Sequence, residues 1–341
     1  MKERNPAIDV AKGIAIISVV LGHVVTSYHN SNMMMDDAIP NYLCKLVYSF
    51  HMPLFFMISG YLVSTKEFDW TKCWSSVRKN LISYGIPYVA FCVCLFVFKW
   101  VFSSSVNSAV SFTDLLLIPI YPIGMMWFLY ALLFVSVLHI LLTCIFADKA
   151  KRMLFELSIS LMVLIIAAYV GESDLGIYDS AKYWFWYSVG VYIMPSIISR
   201  IKEFKDDSKI QFLNLLMAVL YCGLVYIIPE MNYILGVIIK IVFSLFGAII
   251  IFVLSEHLRS NKLLLDIGIL SLPIFLFHGY IISVVRIVLS HVNIPLLNGI
   301  TPLIVCSALG VGISILIYKY LIMPFAAIDF LVYPHKYIGK K

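Results

Sequence analysis

The stretch Ile8–Val24, IDVAKGIAIISVVLGHV, is long and apolar enough to lie in a membrane, yet it carries Asp9, Lys12 and His23. An ionisable side chain at mid-bilayer costs roughly 2.5–3.5 kcal/mol on insertion scales, so three in one span need a reason. On a helix turning 100° per residue they fall at about 0°, 300° and 320°, one narrow stripe. The rest of the circle is Ile, Val, Leu, Ala and Gly, which can face lipid. A single polar stripe on an apolar helix normally faces a bundle interior or a water-filled cavity. With a rise of about 1.5 Å per residue, His23 stands roughly 16 Å beyond Lys12.

The whole chain fits that setting. Of its 341 residues, 62% are hydrophobic and 13% charged, against about 25% charged in soluble domains. The expectation is an all-α integral membrane protein, a single multi-span domain over residues 1–341. Apolar stretches separated by polar clusters predict ten spans, at 7–28, 43–65, 80–102, 122–146, 153–170, 182–200, 210–228, 231–254, 263–289 and 298–321. The stretch 114–129, DLLLIPIYPIGMMWFL, carries two prolines and reads equally as a re-entrant or interfacial segment. The basic N-terminus leads into an apolar run with no small-x-small cleavage site after His23, as in a retained signal anchor.

Charge placement sets the expected orientation. With the N-terminus in the cytoplasm, 18 of the 25 Lys and Arg residues fall on the inward side. The outward loops, 29–42, 103–121, 171–181, 229–230 and 290–297, hold none. An even number of spans with both termini cytoplasmic satisfies the positive-inside rule. The net charge of +6 is therefore a topology signal, and no nucleic-acid partner is expected. Seven cysteines are scattered singly, and Cys92 and Cys94, two apart on a helix, point to different faces, so no metal is expected there.

Other spans add ionisable groups at similar depth. The second holds His51 just before Pro53, then Ser59 and Gly60; proline frees a backbone carbonyl and glycine allows close helix approach. The ninth places Ser271 and His278 on one face, with Arg286 beyond them, and the eighth holds Lys240. His23, His51, His278 and Lys240 on four helices point to one shared polar cavity. Simpler readings exist for several of these groups. Lys12 can snorkel to the inner interface, and His51 can be a structural histidine bonded to backbone. Lys45, Lys99 and Lys182 suit snorkelling anchors at span ends, while Trp127, Trp184 and Trp186 suit an aromatic belt. An imidazole at neutral pH can act as general base on a hydroxyl or relay protons in a transporter. No Walker loop, dinucleotide glycine motif or HExxH motif is present.

Four segments carry a family likeness. The Lys12-to-His23 spacing in DVAKGIAIISVVLGH resembles the first-span signature of the acyltransferase 3 family. FHMPLFFMISGYL (50–62) resembles its F-x-x-P-x-F-F-x-x-S-G pattern, WFLYALL (127–133) its mid-chain motif, and SLPIFLFHGYII (271–282) its late Ser-to-His segment. The resemblance implies a bacterial inner-membrane O-acyltransferase of about ten spans. Such an enzyme moves an acetyl group from cytoplasmic acetyl-CoA, used as donor rather than as a resident cofactor, to a hydroxyl of a surface polysaccharide or lipid-linked sugar. By that likeness His23 is the essential base and Lys12 its basic partner, with Asp9 pairing Lys12. His51, His278, Lys240 and Ser59 are then expected near the substrate. The Arg-x-x-Arg pair that many members carry is missing from WTKCWSSVRKNLISYGIPY (70–88), so Lys72, Arg78 and Lys79 are the expected CoA phosphate contacts. Succinyl or another short acyl group is an alternative donor. The rival function is export or flipping of a polysaccharide or lipid-linked sugar; such transporters often show internal repeats, and the sequence shows none.

Overall fold

A computed structural model describes residues 4–31, 38–64, 70–103, 110–171, 173, 175–204, 207–227, 233–290 and 300–337. Lys2, Lys66, Lys205, Lys340 and Lys341, counted above for orientation, lie outside the described residues. The described residues form helices joined by turns and short irregular stretches, with no strand among them, and include nine helices long and apolar enough to cross a membrane.

The first, α1 (Pro6–His29), starts where its sequence says it should. Asn5 caps it, its side-chain oxygen accepting from the Ala7 N–H at 3.2 Å, and Pro6 occupies the first turn. Asp9 lies in the positive first turn of the helix dipole. The expected second span is two helices, α2 (Ala38–Tyr48) and α3 (His51–Val63), broken just ahead of Pro53. Proline has no N–H for the Ser49 carbonyl. The Ser244 hydroxyl, from α12 (Tyr233–His257), donates to that carbonyl instead, at 2.7 Å.

Four further spans differ from the expectation. The third span begins earlier: α4 (Trp70–Asn80), a π turn (Leu81–Gly85) and α5 (Ile86–Val101) run on without a break, the π turn standing just before Pro87. Lys72, Arg78 and Lys79 are therefore helical rather than in a loop. Prolines at 119 and 122 confine α6 (Phe112–Leu116) to five residues, and the next long helix, α7 (Trp127–Ile145), starts after a 3-10 turn at Gly124–Met126. After α8 (Lys149–Val170), the expected span 182–200 divides ahead of Pro195 into α9 (Gly176–Tyr192), 17 residues long, and α10 (Met194–Glu203). Then follow α11 (Ser208–Ile227), α13 (Lys262–Ile269), α14 (Ser271–Ser290), α15 (Thr301–Leu316) and α16 (Ala326–Val332). The expected ninth span is thus α13 and α14, interrupted at Leu270.

The chain forms two compact units. The first comprises Met1–Phe55 and Ser196–Tyr318, the second Phe56–Pro195 and Lys319–Lys341. In the first, α1 is the hub, packed against α2, α12, α13, α14 and α15. It is the most buried of the nine long helices, 72% of its span being enclosed against 11% for α11. Its crossing with α13 needs glycine on both helices. A methyl group at Gly268 would stand 1.7 Å from the Asp9 carbonyl oxygen, and one at Gly13 2.4 Å from that of Leu264. The second unit has an equivalent crossing of α3 with α9. A methyl group at Gly60 would meet the Tyr187 carbonyl at 2.1 Å, and one at Gly190 the Met57 carbonyl at 2.2 Å. Small residues that let backbones touch supply the packing that apolar surface alone cannot give inside lipid.

Gly268→Ala should lower stability by about 1–3 kcal/mol, the usual range for overpacking. Gly312→Ala, whose added methyl group meets nothing within 4 Å, should leave stability unchanged or raise it. Thermal unfolding midpoints of the two purified variants in lipid nanodiscs check this; equal midpoints would sink the close crossing.

Candidate active site

The first unit holds all three histidines singled out in the sequence. His23 comes from α1, His51 from the first turn of α3 and His278 from α14. The His23 and His278 ring centroids are 5.2 Å apart, tilted by 48°. Tyr48 meets His51 edge-on at 4.8 Å and also lies over Gly22, where a methyl group would approach its ring to 2.9 Å. Glycine beside His23 therefore lets α2 close down on α1 at the level of the imidazole.

Hydrogen bonding fixes two of the three tautomers. A carbonyl only accepts, so the nitrogen facing it carries the hydrogen. His51 Nδ1 donates to the Val47 carbonyl at 2.5 Å. His278 Nδ1 donates to the carbonyls of Phe275 at 2.8 Å and Ile274 at 3.0 Å. His51 and His278 are buried, whereas His23 is partly exposed. The His278 Nε2 is buried and has no hydrogen-bond partner among the described residues. In the neutral ring that atom is a lone pair.

At the start of α1, Asp9 is buried and pairs with two cations. Arg4 Nε lies 2.5 Å from its Oδ2 and Lys12 Nζ 3.3 Å from its Oδ1. The Asp9–Lys12 pair was expected from the sequence. Arg4 was not, because it precedes the span. The ion pair accounts for the two charges at this end of the helix. Lys240 is exposed on α12, a helix packed against α1. Arg286 is buried further along α14.

The second unit holds the other predicted residues. Ser59 is partly exposed on α3, next to the Gly60 crossing. Lys72, Arg78 and Lys79 are exposed on α4, whose opposite face sets Cys73 and Val77 against Ile140 and Cys144 of α7. The C-terminal turn lies by the π turn that follows Lys79. There Lys336 donates to the buried Asp329 at 3.0 Å and the Tyr337 hydroxyl donates to it at 2.9 Å. Burial lowers the His335 pKa from its ordinary value, and the neighbouring charges of Lys336 and Lys79 lower it further. Trp184 and Trp186 are buried, which corrects their reading as an interfacial belt. Both belong to α9, which is largely enclosed within its own unit. Cys92 is buried and Cys94 exposed, on the separate faces their spacing predicts.

A buried polar network in this unit was not anticipated. His139 Nδ1 lies 3.1 Å from both oxygens of Glu156. The Tyr192 hydroxyl donates to Glu156 at 2.9 Å, and Arg152 Nε donates to that hydroxyl at 3.1 Å. Arg152 also donates to the Phe146 carbonyl at 3.0 Å, closing the end of α7. One sequence signal was available, since Glu156 is a lone carboxylate in the apolar run 153–170. Glu156→Ala leaves the buried His139 and the half-buried Tyr192 without their acceptor and should cost about 3–5 kcal/mol. The thermal midpoint compared with that of the exposed-site variant Glu203→Ala measures this, and equal midpoints would refute a structural role for the network.

Comparison with known proteins gives the chemical class. Nodulation protein NolL of Sinorhizobium fredii is 33% identical over 136 residues, which is 38% of this chain and 34% of that protein. Nodulation protein NolL of Mesorhizobium japonicum is 32% identical over 133 residues, 38% of this chain and 33% of the relative. The match thus spans about a third of the length of these curated relatives. No solved structure is significantly similar to the chain. The profile of the family described as Acyltransferase domain matches residues 5–319, taking in α1, the histidine cluster and both glycine crossings. The chain belongs to the acyltransferase 3 family.

Proposed function

We propose that this protein is a bacterial inner-membrane O-acyltransferase. It moves an acetyl or other short acyl group from cytoplasmic acyl-CoA to a hydroxyl of a surface polysaccharide or lipid-linked sugar. One observation carries the reading: in a chain of this family, a partly exposed histidine is set against a second, buried imidazole, on the same helix as an Asp9-paired lysine.

In this reading His23 takes the proton of the acceptor hydroxyl. The oxygen bonds to the thioester carbon, the carbon–sulfur bond breaks, and the departing CoA thiolate takes the proton back from His23. The partial exposure of His23 supports this role, because a base must meet its substrate. Lys12, paired with Asp9, is the proposed contact to the donor. Lys72, Arg78 and Lys79 are the proposed phosphate contacts, each exposed on α4; a helix places Lys72 and Lys79 on one face. The proposed topology has ten spans, with α9 counted as one, and both termini in the cytoplasm. The acceptor is proposed only as a class.

Membrane vesicles holding the protein, given acetyl-CoA and total cell-envelope glycans, should release free CoA. His23→Ala should reduce that release by about 100-fold or more, the scale of a lost general base. Equal release from both proteins would remove His23 from the chemistry. No release from either would defeat the acetyl-CoA-dependent enzyme. For the topology, a fluorescent protein fused after Lys341 should fold and glow in cells, while alkaline phosphatase at the same point should stay inactive. The opposite pattern would place that end outside.

A further inference from the structure

The His278 side chain is 0% exposed, and its Nε2 has no partner among the described residues. A buried acceptor left without a donor costs about 1–3 kcal/mol, and such orphaned atoms call for an explanation, catalysis among them. The opposite nitrogen is already committed to the Ile274 and Phe275 carbonyls. That bond holds the ring and leaves a lone pair as the free function of the residue. Two rings lie against it, His23 at 5.2 Å and Phe275 at 6.0 Å between centroids. Phenylalanine has no N–H to give. His23 has one, and its ring, being partly exposed, has room to turn.

We infer that His278 is the positioning residue of His23: its Nε2 accepts the ring N–H of His23, so that the other His23 nitrogen presents its lone pair to the acceptor hydroxyl. The inference rests on the reading of His23 as the base. A neutral imidazole divides its time between two tautomers, and only one has the lone pair on the working nitrogen. A fixed acceptor on the other side selects that tautomer, the role a carboxylate plays in a catalytic triad. When His23 takes the hydroxyl proton it becomes a cation, and its hydrogen bond to Nε2 strengthens with the charge. His278 itself gains and loses no proton. The proton passes from hydroxyl to His23 and then to the CoA thiolate, as the new carbon–oxygen bond replaces the carbon–sulfur bond.

The test uses the full chain in vesicles, with His278→Phe and His278→Gln. Phenylalanine keeps the ring and removes the acceptor; glutamine restores an acceptor oxygen. The phenylalanine variant should lose about 100-fold in kcat, with KM for acetyl-CoA within about twofold, and glutamine should recover about tenfold of that loss. Unchanged kcat with phenylalanine, a loss confined to KM, or equal losses in the two variants would overturn the inference. Nitrogen-15 histidine NMR supplies a readout that needs no activity, with the His23 signals identified by their absence in His23→Ala. Wild-type His23 should show one tautomer and His278→Phe a mixture. A mixture already present in the wild type overturns the inference even if the phenylalanine variant does not fold. A wild type that releases no CoA, yet shows a single His23 tautomer that becomes mixed in His278→Phe, would defeat the base reading and leave the positioning contact standing.

Discussion

At Gly268 the backbone of α13 comes so close to the Asp9 carbonyl that no side chain fits between them. Gly13 makes the matching surrender on the other helix, at Leu264. Everything the first unit does depends on this contact. It anchors the start of α1 where Asp9 holds Arg4 and Lys12, and it leaves the helix enclosed by α2, α12, α14 and α15. His23 is carried to its level by unbroken helix, so its place against His278 follows from where α1 is fixed. Inside lipid, apolar side chains gain little by meeting one another. Backbone contact is then what makes one arrangement better than its neighbours, and the Gly60–Gly190 crossing applies the same logic in the second unit.

The two buried histidines show how a polar group is accommodated without a charge. Each gives Nδ1–H to a carbonyl one turn earlier on the chain. For His51 the break ahead of Pro53 creates the opening, with the Ser49 hydroxyl against Tyr221 at 2.5 Å and its carbonyl held by Ser244. The main chain therefore does locally what a buried carboxylate would otherwise have to do. The second unit takes the other course at His139, whose partner is Glu156. There the carboxylate needs Tyr192 as a further donor, and Arg152 holds Tyr192 in turn.

Much of this was legible in the sequence. Composition and apolar length gave the helical class, and the polar stripe on Ile8–Val24 pointed to the inward face of α1. The Asp9–Lys12 pair follows from i, i+3 spacing on a helix. The approach of His23 to His278 was foreseen from their depth alone. Depth says nothing of which way a residue faces around its helix, and Lys240, at the same depth, is exposed. Arg4 and the His139–Glu156 pair were missed for a related reason. Their partners come from other segments or from outside the span, and periodicity within one helix carries no trace of them. The helix breaks at Ser49–Phe50, Ile193 and Leu270 fall near prolines that were visible, but proline marks a place without saying whether the helix bends or stops.

The ion pair at the foot of α1 has a further consequence. Arg4 and Lys12 hold Asp9 near the surface from which α1 sets out, and no break interrupts the helix before His23. Height above that surface is therefore counted in residues, roughly 1.5 Å each, and does not adjust to the lipid. The distance from His23 to the opposite surface is whatever remains of a hydrocarbon layer about 30 Å thick. One side of His23 is measured by the protein and the other by the membrane. Lipids with shorter or longer chains change only the second, so acyl-chain length becomes a control on the far approach to the histidine, set by no residue of the chain.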